Sequence, residues 1–145
     1  MPTTIAVVED DADQRDTYVD VLIANGYAVD AYADKASAQS AFRMTLPDLA
    51  ILDIMLGQDM DGGFDLCMEL RNRSQTLPVI FITARDSDVD RISSQRMMAW
   101  DYITKPVSLE FLVARVHALL SIATHLQSPE SNLTTLSLIH ISAPT

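Results

Sequence analysis

The residues of this sequence that could do chemistry are carboxylates, a hydroxyl and an amine, and each lies at the end of a short apolar run. In chain order they are Glu9, Asp10 and Asp11, then Asp53, then Thr83 with Ala84, and finally Lys105. Crowded carboxylates repel one another, and a hard divalent cation such as Mg²⁺ relieves that repulsion. A lysine beside them can meet an anion. Together these groups suit phosphoryl transfer, with a carboxylate as nucleophile.

The apolar runs are predicted strands, and they alternate with predicted helices. The strands are predicted over 4–8, 28–33, 49–52, 79–83 and 101–103, and the helices over 12–25, 35–44, 64–73, 88–98 and 108–120. Three of the strands are almost wholly apolar, which is typical of parallel strands covered on both faces, and the mixed second strand is typical of an edge. The alternation predicts an α/β fold with a doubly wound parallel sheet. Ligands bind beyond the carboxyl ends of such strands, where the reactive groups would converge.

The boundaries of the helices are predicted from capping residues. Asp11, Asp34 and Ser108 each precede a helical pattern and are predicted N-caps, because their side chains can accept hydrogen bonds from the first turn. Gly26 is a predicted left-handed stop after the first helix. Asp10 could also be only a capping residue, and that interpretation stays open beside the one in which it binds a metal.

The composition limits the classes of function. The chain has 145 residues, so we expect one principal domain. Its 20 acidic and 10 basic residues give a formal net charge of −10. That charge repels phosphate backbones, so this chain by itself is not expected to bind nucleic acid. The single cysteine, Cys67, is predicted to be a buried apolar residue.

We find no signal peptide in the sequence, and no apolar run that approaches the roughly 20 residues of a membrane span. A cytoplasmic protein without membrane contact is therefore expected. The domain is predicted over residues 1–122, and a linker or tail over 123–145. Residues 128–132 are linker-like, and 136–145 resemble a cloning or sequencing read-through. The alternative, that the tail begins a truncated output domain, stays open.

Four segments, VVEDD, LAILDIML, FITAR and DYITKP, resemble in sequence and order the receiver domains of bacterial response regulators. The resemblance covers residues 4–120, and the segment KPVSLEFLVARVHALL is most similar to the OmpR/PhoB subfamily. It implies a flavodoxin-like (βα)5 fold with strand order 2-1-3-4-5. It also implies a signalling switch that catalyses its own phosphorylation and slow self-dephosphorylation, rather than a conventional enzyme.

The resemblance implies a role for each acidic residue of the predicted site. Asp53 would accept phosphate from a phosphohistidine of a sensor histidine kinase. Asp10 and Asp53 would bind Mg²⁺ directly, together with the backbone carbonyl of Met55. Glu9 would act on the ion through a water molecule.

Other residues would hold the phosphoryl group or respond to it. Lys105 would contact the acyl phosphate, and Pro106 would follow a cis peptide bond. Thr83 would donate a hydrogen bond to a phosphate oxygen, and the backbone N–H of Ala84 would contact another. Tyr102 would be the switch aromatic, turning inward as Thr83 moves toward the phosphate.

Subfamily members usually carry a DNA-binding output domain, which is absent here, and form a phosphorylation-promoted homodimer through an α4-β5-α5 face. Asp101 and Arg115 could keep part of that interface, whereas Trp100 replaces a frequent aspartate. The 57–63 loop is two residues longer than usual, and Met98 stands where glycine is usual. These departures weaken the expectation of a dimer, although an exposed Trp100 could add apolar contact.

The same set of reactive residues is compatible with two other classes of function. Phosphatases and mutases with an aspartate nucleophile usually need a second aspartate two residues later, and Met55 stands at that position. A degenerate receiver that binds partners without phosphate is the other alternative. Met55 and Arg85 would flank the approach of water, and since both are bulky we expect slow self-dephosphorylation.

Overall fold

Strands and helices alternate along the part of the chain that the computed structural model describes, residues 2–95 and 99–127. In order, the elements are β1 (Thr4–Val8), α1 (Ala12–Ala24), β2 (Ala28–Tyr32), α2 (Lys35–Met44), β3 (Leu49–Asp53), α3 (Gly62–Arg73), β4 (Val79–Thr83), α4 (Asp86–Gln95), β5 (Asp101–Thr104) and α5 (Leu109–Gln127). The predicted βα alternation is confirmed.

The strands form one parallel sheet in the order β2-β1-β3-β4-β5, which confirms the predicted fold class. Every residue of β3 and β4 is buried, whereas β2 is partly exposed along its length. The mixed sequence of β2 follows from its position at the edge of the sheet, because the helices cover only part of each face of an edge strand.

Two apolar layers cover the two faces of the sheet. Strand β1 sends Ala6 and Val8 to the layer that packs against α2 and α3, and it sends Ile5 and Val7 to the layer under α1 and α5. Successive side chains of a strand point to opposite faces, so a strand covered on both sides must be apolar at every position. The layers leave the carboxyl edge of the sheet open for polar residues.

The predicted caps are present. The side chains of Asp11 and Asp34 accept backbone hydrogen bonds of 3.0 and 2.8 Å from the third residue beyond each of them, and Ser108 Oγ accepts a similar bond of 3.3 Å. Gly26 follows α1 with φ +93°, a left-handed conformation that glycine adopts without strain. Local hydrogen bonding therefore fixes where these helices begin and end.

Helix α5 departs from the sequence prediction at its end. It continues to Gln127 rather than stopping at Leu120, and Ala123 is buried in this added stretch. Over Leu109–Leu126 the mean hydropathy is 1.3, which is enough by length and composition to cross a membrane. Core helices of soluble proteins pass the same test of length and composition. The apolar character of α5 also serves the fold, since Leu112 and Val116 are completely buried against the sheet.

Cys67 is buried, as predicted. In α1, Tyr18 and Leu22 are buried against the sheet, whereas the apolar Ile23 beside them is 54% exposed. Helix α3 begins two residues before Phe64, and α4 begins at Asp86 rather than Asp88. Met98 and residues 128–145 lie outside the described residues.

Candidate functional site

The order of the strands brings the predicted reactive residues to one edge of the sheet. Because β1 and β3 are hydrogen-bonded neighbours, Glu9 and Asp10 emerge beside Asp53. The edge strand β5 ends beside β4, and there the backbone N–H of Lys105 donates to the carbonyl of Thr83 over 2.8 Å. The Lys105–Pro106 peptide bond is cis, as the resemblance implied. Residues distant in sequence thus share one shallow depression.

Three carboxylates and one ammonium occupy the centre of this depression. Glu9 is 1% and Asp53 is 6% exposed, whereas Asp10 faces solvent. One carboxylate oxygen from each of the three lies within 4.8 Å of the others. The Nζ atom of Lys105 is 2.9 Å from Oδ2 of Asp53 and 3.1 Å from Oε1 of Glu9. A single cation is therefore shared by two buried carboxylates.

The electrostatics of this cluster follow from burial and crowding. The pKa of Glu9 is raised to about 8, first by burial and then by the neighbouring Asp53, while the backbone N–H of Asp11 and the ammonium of Lys105 oppose the rise. For Lys105, burial acts to lower the pKa, but the carboxylates of Asp53 and Glu9 outweigh burial and raise it. The lysine stays charged, and the site still holds more carboxylates than it can neutralise.

The donor set fits a magnesium ion. Mg²⁺ prefers carboxylate and carbonyl oxygens together with water, and the three acidic residues supply such oxygens on one side of a cavity of about 200 Å³. Oε1 of Glu9 is buried, and among the described residues nothing makes a hydrogen bond to it, because Lys105 approaches outside hydrogen-bond geometry. A buried carboxylate oxygen in that state favours a cation or a bound water nearby.

The cavity is also lined by the other residues that were predicted from the sequence. Its lining comprises Glu9, Asp10, Asp11, Gln14, Asp53, Ile54, Met55, Thr83, Ala84, Arg85, Asp88 and Lys105. All of the predicted ligand, phosphate-contact and catalytic residues are in this set. Asp88 also lines the cavity. Sequence reasoning missed it, because it is one of three aspartates in a polar helix and resembles the solvated ones.

The hydroxyl of Thr83 is bound by the segment that follows β4. The backbone N–H of Arg85 donates to Oγ1 of Thr83 over 3.1 Å, and Oγ1 lies 3.1 Å from the carbonyl oxygen of Arg85. Thr83 itself is 1% exposed. In this arrangement the β4–α4 connection, rather than the acidic cluster, holds the hydroxyl.

The loop between β3 and α3 forms the rim of the cavity. Leu56 and Asp59 exchange two backbone hydrogen bonds of 2.9 and 3.0 Å around a tight turn, in which Gly57 has φ +62°. The N–H of Gly57 donates to Oδ2 of Asp10 over 3.0 Å. At Gly63 a Cβ atom would lie 2.3 Å from the carbonyl oxygen of Asp53, so only glycine allows α3 to begin this close to β3.

Cations from three separate elements bind this loop. Lys35 of α2 forms an ion pair of 2.7 Å with Asp59, and Arg91 of α4 forms one of 2.7 Å with Asp61. Arg85 donates from Nη2 to the carbonyl of Met60 over 2.9 Å. Sequence reasoning did not find these contacts. The only signal in the sequence was the acidic character of the loop, and this does not show which of the ten basic residues pair with it.

The predicted interaction face around β5 and α5 is only partly exposed. Tyr102 is 37% and Phe111 is 49% exposed. Arg115 and Asp101 form an ion pair of 2.5 Å. Trp100 is partly buried against the layer under α1 and α5, so it offers less apolar contact than an exposed tryptophan would.

A parallel sheet of this order, with an acidic cavity at its carboxyl edge, defines the flavodoxin-like class of α/β domains. Within that class, the chain belongs to the response regulator receiver domain family, whose sequence model matches residues 5–117.

Curated relatives are response regulators. The chain is 37% identical over 131 residues to the response regulator MprA of Mycobacterium sp. (strain KMS), covering 90% of this chain and 56% of that protein. It is 39% identical over 125 residues to the alkaline phosphatase synthesis transcriptional regulatory protein SphR of Synechococcus elongatus, covering 80% and 48%. The chain thus spans about half the length of the curated relatives it matches.

Solved structures agree on the fold. A CheY-like receiver domain protein from Methanospirillum hungatei superposes with a TM-score of 0.78 at 25% identity, covering 86% of this chain and 98% of that one. NtrX from Brucella abortus gives a TM-score of 0.79 at 29% identity, covering 92% of this chain and 30% of that one.

Proposed function

We propose that Asp53 is the phosphoacceptor of a two-component signalling protein and that its donor is a phosphohistidine of a sensor histidine kinase. A carboxylate oxygen of Asp53 attacks phosphorus, an O–P bond forms, and the N–P bond breaks with its electron pair passing to the imidazole. The observation that carries this proposal is the buried carboxylate of Asp53, held 2.9 Å from Lys105 beside two further carboxylates. This cluster is suited to bind a cation and then an anion.

Residues of this chain have distinct roles in that reaction. Lys105 orients the carboxylate of Asp53 and neutralises the incoming phosphoryl group, and Thr83 and the N–H of Ala84 bind its oxygens. Asp10, Asp53 and the carbonyl of Met55 would hold Mg²⁺, with Glu9 acting through a water. The ion would supply positive charge opposite the phosphoryl oxygens. The nucleophile is the ionised carboxylate of Asp53, and a bound cation would offset the negative charge of the three neighbouring carboxylates.

The phosphorylated state is proposed to be long-lived. Met55 and Arg85 stand at the mouth of the cavity, and the guanidinium of Arg85 spans it from Asp88 to the carbonyl of Met60. Both side chains obstruct a water that approaches opposite Asp53. A half-life of seconds for the phosphorylated protein, followed after the donor is removed, would contradict this.

The output is proposed to pass through the α4-β5-α5 face. Movement of Thr83 toward the phosphoryl group would let Tyr102 turn inward, and Trp100, Asp101 and Arg115 would contribute to a homodimer. We propose a cytoplasmic protein whose DNA-binding output domain is absent from this chain, because the matched relatives are about twice as long and include a transcriptional regulator. The net charge of −10 disfavours DNA contact by this chain itself.

Acetyl phosphate with Mg²⁺ tests the proposal. Intact-mass measurement is expected to show the addition of one phosphoryl group to the wild type and to the control variant Asp20→Asn, an exposed carboxylate on α1. The adduct should be absent in Asp53→Asn. An unmodified wild type would favour the alternative, a binding module that works without phosphate.

Light scattering with beryllofluoride and Mg²⁺ tests the dimer. The mass should double in the wild type and stay that of a monomer in Arg115→Ala. An unchanged monomer, or a dimer that tolerates both Arg115→Ala and Trp100→Ala, would exclude this face as the interface.

A further inference from the structure

Asp88 is a buried carboxylate that the proposed chemistry does not use. It lies in the first turn of α4, is 2% exposed, and lines the same cavity as Asp53. Burying a carboxylate is costly unless cations or hydrogen bonds compensate it. Oδ2 of Asp88 lies 2.6 Å from Nε of Arg85, and its Oδ1 lies 3.6 Å from Nη1 of Arg91. The carboxylate is therefore held by two guanidinium groups.

Arg85 connects Asp88 to the hydroxyl of Thr83. The backbone N–H and carbonyl of Arg85 both lie 3.1 Å from Oγ1 of Thr83, while its side chain binds Asp88. Oδ2 of Asp88 is itself 3.5 Å from that hydroxyl. This is too long for a full hydrogen bond, so the main hold on Thr83 comes from Arg85. Fixing the side chain of Arg85 consequently fixes the backbone that binds Thr83.

The opposite end of this arrangement is anchored in the β3–α3 loop. Arg85 donates to the carbonyl of Met60 over 2.9 Å, and Arg91 pairs with Asp61 over 2.7 Å. Both guanidiniums that hold Asp88 thus also hold the loop. For Thr83 to turn toward a phosphoryl group on Asp53, the β4–α4 connection has to leave this set of contacts.

We propose that Asp88 is a positioning residue that, through Arg85, keeps the hydroxyl of Thr83 away from the acceptor and so sets how readily the site accommodates a phosphoryl group. The inference rests on the proposed function of Asp53. A ligand that needs a minor arrangement binds with an apparent affinity reduced by the population of that arrangement. Weakening the hold of Asp88 therefore strengthens binding of a phosphoryl mimic.

The test is the affinity for beryllofluoride in the presence of Mg²⁺, measured by calorimetric titration. Asp88→Asn removes the charge but keeps the size, and should bind about tenfold more tightly than the wild type, equivalent to about 1.4 kcal/mol. Asp88→Glu restores the charge and should return the affinity toward the wild-type value. Asp90→Asn, an exposed carboxylate on the same helix, is the matched control and should bind like the wild type.

The titrations separate this inference from the proposed function. A wild type that does not bind beryllofluoride overturns the proposed function itself. A wild type that binds, with Asp88→Asn equal or weaker, overturns only the role of Asp88, as would equal strengthening by Asp90→Asn. If thermal denaturation shows that Asp88→Asn does not fold, Arg91→Gln takes its place and should bind about twofold more tightly, because a partly exposed pair contributes little. Unchanged binding by Arg91→Gln would then refute the inference.

Discussion

Two charged clusters that both include residues of the cavity lining differ in their charge balance. The acceptor cluster consists of Glu9, Asp10, Asp53 and Lys105, and the loop–α4 cluster consists of Asp61, Arg85, Asp88 and Arg91. The first holds three carboxylates and one cation, whereas the second holds two of each. An external cation would neutralise the excess negative charge of the acceptor cluster, whereas the loop–α4 cluster is balanced by its own residues.

The difference also appears in burial. In the acceptor cluster the unbalanced carboxylates of Glu9 and Asp53 are buried, so their mutual repulsion is weakly screened. In the loop–α4 cluster, Asp88 is buried but its partner cations reach solvent. Substitutions in the acceptor cluster should therefore have larger effects, and the following experiments measure that contrast.

The largest expected effect comes from Gly63, the second residue of α3, whose backbone packs directly against the end of β3. Gly63→Ala places a Cβ atom 2.3 Å from the carbonyl oxygen of Asp53, and we expect it to lower the free energy of unfolding by about 3 kcal/mol. Gly62→Ala is the matched control, since there the Cβ meets the flexible side chain of Leu56 at 2.9 Å. Urea denaturation measures both. Equal losses would show that close packing against β3 is not the cause.

Removing the cation of the acceptor cluster should have the next largest effect. Lys105→Gln leaves the buried carboxylates of Glu9 and Asp53 without their counter-charge, and we expect a loss of about 2 kcal/mol at pH 8. Lowering the pH protonates a carboxylate, so the loss should shrink toward pH 5. Lys35→Gln, which removes a partly exposed partner of the loop, serves as the control. A loss that is the same at both pH values would contradict this explanation.

Magnesium should stabilise the protein in a pH-dependent way. The pKa of Glu9 is raised from 4.5 to about 8, first by burial, so the folded state binds an extra proton between these values. Without metal, stability therefore falls as the pH rises through this window. A bound cation favours the ionised carboxylate, so Mg²⁺ should raise the Tm by more at pH 8 than at pH 6. In Glu9→Gln, the rise in Tm caused by Mg²⁺ should be nearly equal at pH 6 and pH 8.

The smallest effect is expected in the loop–α4 cluster. Arg91 and Asp61 are 34% and 48% exposed, and exposed ion pairs contribute about 1 kcal/mol or less. Arg91→Gln should thus lower the free energy of unfolding by about 0.5 kcal/mol, since it also removes the guanidinium stacked 4.4 Å above the ring of Phe64. Urea denaturation of Arg91→Gln beside Lys105→Gln completes the comparison. A larger loss for Arg91→Gln would reverse the ranking of the clusters.

Most of the fold could be predicted from the sequence because its signals are local. The effects of apolar runs, capping aspartates and Gly26 depend only on neighbours within a few residues. These signals predict the strands and most of the positions at which helices begin. The acceptor cluster could also be predicted, since parallel strands place Glu9, Asp53 and Lys105 at one edge once their order is known.

The contacts around Asp88 could not be predicted in the same way. Arg85, Arg91 and Lys35 each could pair with many acids, and which pairs form depends on how the β3–α3 loop turns at Gly57. The predicted end of α5 at Leu120 was also wrong. No glycine or proline stops the helix directly after Leu120, and the burial of Ala123 favours its continuation to Gln127. Long-range packing, rather than local propensity, decided both features.

Helix α5 has a mechanical consequence that its packing does not suggest. Its 19 residues make a rod about 28 Å long at 1.5 Å per residue. The helix starts a few residues after the Lys105–Pro106 bond, at the carboxyl edge of the sheet. A tilt of about 5° about the Leu109 end of such a rod displaces Gln127 by about 2.5 Å. A small angular adjustment near the proposed phosphoacceptor would thereby become a translation at the far end of the helix.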